Sequence, residues 1–545
     1  MRLSVILPLF LLVFLCGCQQ DNATPVPSAS NVADEGSLAP VHGDTILQGA
    51  IGDASNLLPV LAADSASSDI NGLVYNGLVR YDKNLEVEGD LAESWEISPD
   101  NLTFTFHLRR GISWHDGQPF TSADALFTYQ LYIDPKTPTA YAERYRQVAR
   151  AEAPDPYTFV VHYDQPLAPA LISWSIPIHP KHLLEGVDVT KSPLSRSPIG
   201  TGPYRFVEWK AGEKIVLESN KDYYEGEPFI RRVVYRIIPD QATMFLELQS
   251  GGIDHMGLNP IQFSTQTATP NFRRNFNKFR YPAFAYTYLG YNQRRPMFQD
   301  KRVRQALTHA INKQELVDGV LLGLGQEANG PYKPGTWPFN ETVKRYPHDP
   351  QKAKKLLADA GWEDHDGDGI LDKDGKPLAF TIVTNQGNEQ RIKCGEILQQ
   401  RFREIGVVVK LRVIEWASFL KEFINPGDFD ATILGWTVPS DPDSYNVWHS
   451  SKTGVGQLNF INFKNPEVDE LLEKGRRTLD QAKRKQYYDR FQEILAEEQP
   501  YTFLYVPDSL PVVAKRFHGI EEAPSGIMHN FIKWYVPKGQ QKYLR

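Results

Sequence analysis

The chain has 545 residues, too many for one hydrophobic core, so two or three domains are expected. Its composition, 41% hydrophobic, 23% charged and 12% aromatic, is that of a globular, aromatic-rich protein and excludes a chain too polar to fold. The net charge of −7, without a basic cluster, argues against nucleic acid as a partner.

The first 18 residues read as a targeting segment. Arg2 supplies a positive start and residues 3–15 an apolar run, shorter than the roughly 20 residues a membrane-spanning helix needs. Residues 15–18, Leu-Cys-Gly-Cys, resemble the bacterial lipobox. By that resemblance Cys18 becomes the acylated N-terminus, and each buried CH₂ of its lipid contributes about 0.8 kcal/mol to anchoring. An ordinary secretory signal cut nearby is the other reading. Residues 19–42 are rich in Ser, Ala, Pro, Asp and Asn and read as a disordered tether. No second apolar span follows, so the body is expected outside the cytoplasm.

The folded body opens at Asp44 with a strand and a turn. Ile70, Leu73, Val74 and Leu78 stand at helical spacing before a strand at 79–81. Leu102, Phe104, Phe106 and Leu108 alternate with polar residues, as a half-buried strand requires. His115 and Asp116 lie at an Asp-Gly turn and read as exposed turn residues rather than a catalytic pair. Thr121 to Asp124 is an N-cap signature. Residues 212–219 and 232–238 are strand-like, 242–250 form a short helix, and 281–292 form an aromatic strand. Val303, Ala306, Leu307, Ala310 and Ile311 make a helical stripe, with Asn312 and Glu315 capping the next turn. Asp349-Pro350 and Asn465-Pro466 each start a helix with a cap and a proline at its first position.

Cys394 shares a helical stripe with Ile397, Leu398 and Phe402 and reads as an inert core thiol. Cys16 and Cys18 lie in the leader, so the body can build no disulfide or CxxC site. Residues 429–436 read as a strand that Pro439 and Pro442 terminate. The mixed-sign block 474–498 reads as a solvated helix face, and 501–513 as a strand-rich return. Strands alternating with helices imply mixed α/β lobes.

Two constellations carry chemistry. Asp364, Asp366 and Asp368, with Gly367 and Gly369, resemble the start of a calcium loop, but the twelfth position is Gly375 where such a loop places a bidentate Glu. The alternatives are therefore a structural calcium site and a plain acidic hairpin turn at Asp374-Gly375; no other cofactor is expected. The second constellation is Gly435, Trp436 and Thr437 followed by Asp441, Asp443, Tyr445 and Trp448. Accessible glycine backbone beside aromatics and carboxylates suits an extended polar chain; a core strand ending in a surface turn is the other reading. GxSxG, HExxH and GxxxxGK[ST] motifs are missing, so no enzyme is expected.

Residues 92–130, Pro198 to Tyr204, residues 292–312, the 429–450 stretch and residues 465–507 together resemble family 5 of the extracellular solute-binding proteins, the oligopeptide and dipeptide receptors of ABC importers. The resemblance implies an α/β, periplasmic-binding-protein-like two-lobe clamp of type II with an extra subdomain. It places lobe I at 43–80, 204–290 and 506–545, the inserted subdomain at 81–203, and lobe II at 291–505. It implies a monomeric, lipid-anchored periplasmic receptor whose partners are a peptide ligand and the permease subunits in the inner membrane, with hinge closure over the ligand. Asn292, Trp416, Gly435, Trp436, Thr437, Asp441 and Asp443 are the expected ligand contacts. Familiar peptide receptors hold the ligand's amino group on an Asp three residues after the Trp; here that position is Pro439, which leaves Asp441 or Asp443 for the role. Relatives that bind oligosaccharides, metal chelates or opines supply the alternative ligand, and a hydrolase or a chaperone-like binder the more distant readings.

Overall fold

The computed structural model describes residues 38–543 except Pro439. The targeting segment, Cys18, most of the tether and the departure at Pro439 lie outside the described residues.

Two seven-stranded mixed sheets form the lobes. In the first, Gly43–Ala50 lies at the centre, parallel to Ile230–Ile237 and to His255–Gly257. Lys214–Ser219 and Tyr204–Lys210 extend it on one side, and Pro511–Ala514 and Phe276–Lys278 on the other. In the second, Ala431–Thr437 lies between antiparallel Ala285–Tyr291 and parallel Ala379–Asn385, which in turn pairs in parallel with Val408–Ile414. Tyr501–Ser509 closes the other side and carries Tyr281–Pro282 and Gly325–Glu327.

The second lobe shows how local sequence builds this. Phe380, Ile382 and Val383 are all buried, because a parallel strand is covered on both faces. Asn388 caps helix Glu389–Arg403 by accepting the Arg391 N–H, and Cys394, Leu398 and Phe402 on that helix join Ile382 and Ile433 in one core. Burial pushes the Cys394 thiol well above its ordinary range, so it stays protonated and inert. Asp349 and Asn465 cap their helices with Pro at the first turn.

An antiparallel four-stranded sheet, Ala92–Ile97, Thr103–Leu108, Thr158–Tyr163 and Val148–Asp155, forms the subdomain with helix Ser122–Ile133. Thr121 and Asp124 make the capping box. His115 is not the exposed turn residue its sequence setting suggests. Its Nε2 donates to the Gly202 carbonyl at 3.0 Å and its Nδ1 accepts the Gly200 N–H at 3.3 Å. Burial holds it down near a pKa of about 4, neutral as that double role demands.

The chain crosses between the large sheets twice, and the crossings pair with each other. Phe276 faces Ala514 and Lys278 faces Val512 in the first sheet. Tyr281 faces Ser509 at the junction, and Thr287 faces Tyr505 in the second sheet. The sheets therefore change hands between residues 278 and 281 and at Leu510, rather than at the expected 290 and 505. Strand pattern alone cannot place this boundary, because the pairing runs across it.

Candidate ligand-binding site between the lobes

Open α/β sheets bind ligands at the carboxyl ends of their parallel strands. In the second lobe Ala379–Asn385, Val408–Ile414 and Ala431–Thr437 all end on one rim, which carries Arg391, Trp416, Gly435 and Trp436. In the first lobe Gly43–Ala50 and Ile230–Ile237 end together and lead into Ile51, Gly52 and Pro239. The two rims meet. Gly387, at φ +83°, leaves so little room that a Cβ would lie 2.7 Å from the Pro239 carbonyl oxygen and 2.9 Å from the Ile51 Cβ. Trp416 packs on Gly52, and its Nε1 donates to Asp64 at 3.4 Å.

Between the rims the second sheet has an open edge. The Val438 N–H donates to Phe284 O at 2.8 Å, and Asn292 N–H to Asp430 O at 3.0 Å. By antiparallel alternation Thr432, Leu434 and Trp436 turn their main-chain groups to that neighbour, and Ile433, Gly435 and Thr437 turn theirs to the other side. There the register with Ala379–Asn385 covers Ala431 and Thr432 only, and Thr384 Oγ1 donates to Ile433 O at 2.9 Å. At Gly435 and Thr437 no strand stands alongside.

Arg391 lies over this edge. A Cβ on Gly435 would come 2.8 Å from its Nη2 and 2.9 Å from the Tyr286 carbonyl oxygen. Nη1 donates to Asn385 Oδ1 at 2.8 Å, while Nε is buried without a partner. Desolvation lowers the guanidinium pKa below its ordinary value. Among the described residues no carboxylate pairs with it.

The lobes also touch away from the rims. Lys452 pairs with Glu143 of the subdomain at 3.2 Å, Gln457 Nε2 donates to Thr139 O at 3.3 Å, and Ala168 N–H donates to Arg476 O at 2.7 Å. The lobes are closed on one another.

Residues 86–457 match the family described as "Bacterial extracellular solute-binding proteins, family 5 Middle". The chain belongs to this family. It is 33% identical to the oligopeptide-binding protein AppA of Bacillus subtilis over 99% of this chain and 98% of that one. The structure of that protein in complex with a nonapeptide superposes with a TM-score of 0.88, covering 92% of this chain and 100% of the other. NikZ from Campylobacter jejuni in complex with Ni(L-His) gives 0.82 at 31% identity, covering 90% and 99%. DppA from Helicobacter pylori in complex with the peptide STSA gives 0.82 at 28%, covering 92% and 99%. This family 5 chain is thus a two-lobe clamp, a solute-binding protein and not an enzyme, and it works outside the cytoplasm. None of its described helices is long and apolar enough to cross a membrane.

The residues expected at the site separate once the chain folds. Trp416, Gly435, Trp436 and Thr437 stand on the rim of this family 5 receptor. Trp436 is half-buried, stacks on Phe460 at 5.7 Å and donates from Nε1 to Tyr501 Oη at 3.3 Å. Asn292 is different: it is fully buried, and its amide donates to the Gly427 and Phe429 carbonyls. It straps the loop before the Ala431–Thr437 strand and has no surface to offer a ligand.

Asp441 and Asp443 are spent on arginines. Asp443 bonds Arg476 at 2.7 Å with both side chains about 2% exposed, and Asp441 bonds Arg484 at 3.1 Å. The expectation that one of them holds an amino group gives way to this pairing, since each carboxylate already has an arginine as its counter-charge. Asp364, Asp366 and Asp368 each bring an oxygen within 4.8 Å of the others, all exposed, and Asp364 accepts the Gly367 and Gly369 N–H groups. Asp374 and Gly375 at φ 53° and 70° form the hairpin turn beside that loop.

One rim residue, Arg391, was not expected from the sequence. It sits three residues past the Asn388 cap of its helix, and its role depends on the strand edge it meets in space.

Proposed function

We propose that this protein captures oligopeptides between its lobes and delivers them to the permease of an ABC importer. The observation that carries the proposal is the open edge at Gly435 and Thr437, closed over by the rim of the other lobe. An extended peptide can add there as a further strand. Its main chain supplies the missing hydrogen-bond partners while its side chains point away, so binding tolerates many sequences. Arg391, with an unused N–H and no acid beside it, faces the carbonyl or carboxylate oxygens of such a chain. Trp416 and Trp436 offer apolar walls. That AppA is named an oligopeptide-binding protein and takes a nonapeptide, and that DppA takes STSA, supports the same ligand class.

The receptor acts as a monomer, held to the membrane by a lipid on Cys18. Mass spectrometry of the ligands that co-purify with the tether-less body tests the ligand class. Peptides of a narrow length range are the expected outcome; glycans or metal chelates in their place overturn it. Metabolic labelling with an alkyne fatty acid, lost in Cys18→Ala, tests the anchor.

A further inference from the structure

Beyond the Ala431–Thr437 strand a buried histidine joins two short elements. His449 ends helix Tyr445–Trp448, its N–H donating to the Tyr445 carbonyl at 2.9 Å, and it starts the turn Ser450–Lys452. Its ring Nδ1 accepts the Ser451 N–H at 3.1 Å and meets Ser451 Oγ at 2.8 Å. The ring thus caps the turn, a role more often filled by Ser, Thr, Asp or Asn. A nitrogen that accepts an N–H carries no proton, so the ring is neutral with its hydrogen on Nε2.

What this turn positions is Lys452. The Lys452 N–H donates to the His449 carbonyl at 3.0 Å, and its ammonium reaches across the lobes to Glu143 of the subdomain at 3.2 Å. The His449 ring stacks on Tyr445 with centroids 4.1 Å apart, and the Arg476 guanidinium lies 4.2 Å from the same tyrosine ring. Glu473 and Asp469 of helix Pro466–Arg477 stand 3.6 and 3.9 Å from Nε2, beyond hydrogen-bond reach, and Asp469 already accepts the Ser450 N–H at 2.8 Å. A proton on Nδ1 would set N–H against N–H, take away the acceptor that the Ser451 amide uses, and add a cation beside Lys452. Asp469, Glu473 and Glu143 attract that proton, but burial outweighs them, with Lys452 adding to it, and holds the ring below its ordinary pKa. The capped, closed form therefore resists the proton, and by linkage acid favours the form in which the cap is broken.

We infer that His449 is a positioning residue of the clamp: neutral, it caps the turn that holds Lys452 on Glu143 and the lobes shut; protonated, it releases that turn and lets the lobes part. The receptor then grips its solute near neutral pH and loosens in acid. The inference concerns closure itself and does not depend on what the cleft holds.

Calorimetric titration with a nonapeptide free of ionisable side chains, at about pH 7 and about pH 5, brackets the histidine range and tests this. The wild-type affinity should fall about fivefold or more between the two. His449→Asn offers an amide oxygen to the Ser451 N–H and cannot titrate, so it should bind nearly alike at both. Lys452→Ala, with the arm removed, should lose the pH dependence as well. Melting curves at both pH values verify folding, and His449→Gln replaces the Asn variant should that one melt early. An undiminished acid loss in His449→Asn or in Lys452→Ala overturns the inference, as does a wild-type protein that binds equally at both pH values; in each case the peptide reading stands. A wild-type protein that binds no peptide overturns the peptide reading instead, and small-angle scattering of the ligand-free protein then decides for His449. The radius of gyration should rise on acidification in the wild type and not in His449→Asn; an equal rise in both, or none in either, overturns the inference.

Discussion

Asp443 and Asp69 are carboxylates with opposite environments. For Asp443, burial acts to raise the pKa, but Arg476 and then Arg144 outweigh it and hold it below the ordinary range. Its contribution to stability is present above the unfolded value of 3.8 and is lost as pH falls through the lower folded one. Arg476 already has a buried Nε and Nη1 without partners. Asp443→Ala would strand that cation altogether, and about 3–5 kcal/mol of unfolding free energy should disappear in urea titration. For Asp69 the sign reverses. Its pKa rises from 3.8 to about 6 on folding, so across that window the folded protein binds more protons than the unfolded chain and stability falls as pH rises. Asp69→Asn should therefore raise the melting temperature of the ligand-free protein at about pH 7.5 and leave it nearly unchanged near pH 4, as scanning calorimetry would reveal.

The decisive element is the strand Ala431–Thr437. Its first half is locked on both sides, and its second half is held on one side only. Gly435 keeps the free side clear, since a Cβ would press on Arg391 and on the Tyr286 carbonyl. Gly435→Val should lower peptide affinity at least about tenfold in calorimetric titration through steric blockage and displacement of Arg391, while circular dichroism still reports a folded protein. The strand itself was legible from Ala431, Thr432, Ile433 and Leu434. Its open side was not, because that depends on where a strand some fifty residues earlier stops pairing. The helices were legible for the same local reason: caps such as Asp349 and Asn465 act within one turn.

At the scale of the molecule, two paired crossings form the hinge, and contacts between the subdomain and the second lobe hold it shut. Lys452 and Glu143 are both largely buried by closure, at about 7% and 17% exposure. Arg144, next along the helix Ala142–Tyr145, is desolvated there, and Asp443 of the opposite lobe is the main charge that sustains it. Removing both cations, Lys452→Ala with Arg144→Ala, should shift the ligand-free population toward the open form. Small-angle scattering should then give a larger radius of gyration that saturating peptide reverses, with apparent affinity reduced in proportion to the closed fraction.

Sequence alone determined whatever depends on near neighbours in the chain: periodicity, caps, turns, and the ordered run of motifs that resembles family 5. It also brought Gly435, Trp436 and Thr437 into view, because a strand ending in prolines beside aromatics is a local pattern, while Trp416 came from the resemblance. Tertiary structure decided which charges are free. Arg476 and Arg484 reach back to Asp443 and Asp441 only after helices Pro466–Arg477 and Gln481–Glu498 dock against them, and Asn292 turns inward to a loop far along the chain. A charge is available to a ligand when nothing in the fold has claimed it, and that is a property of neighbours in space.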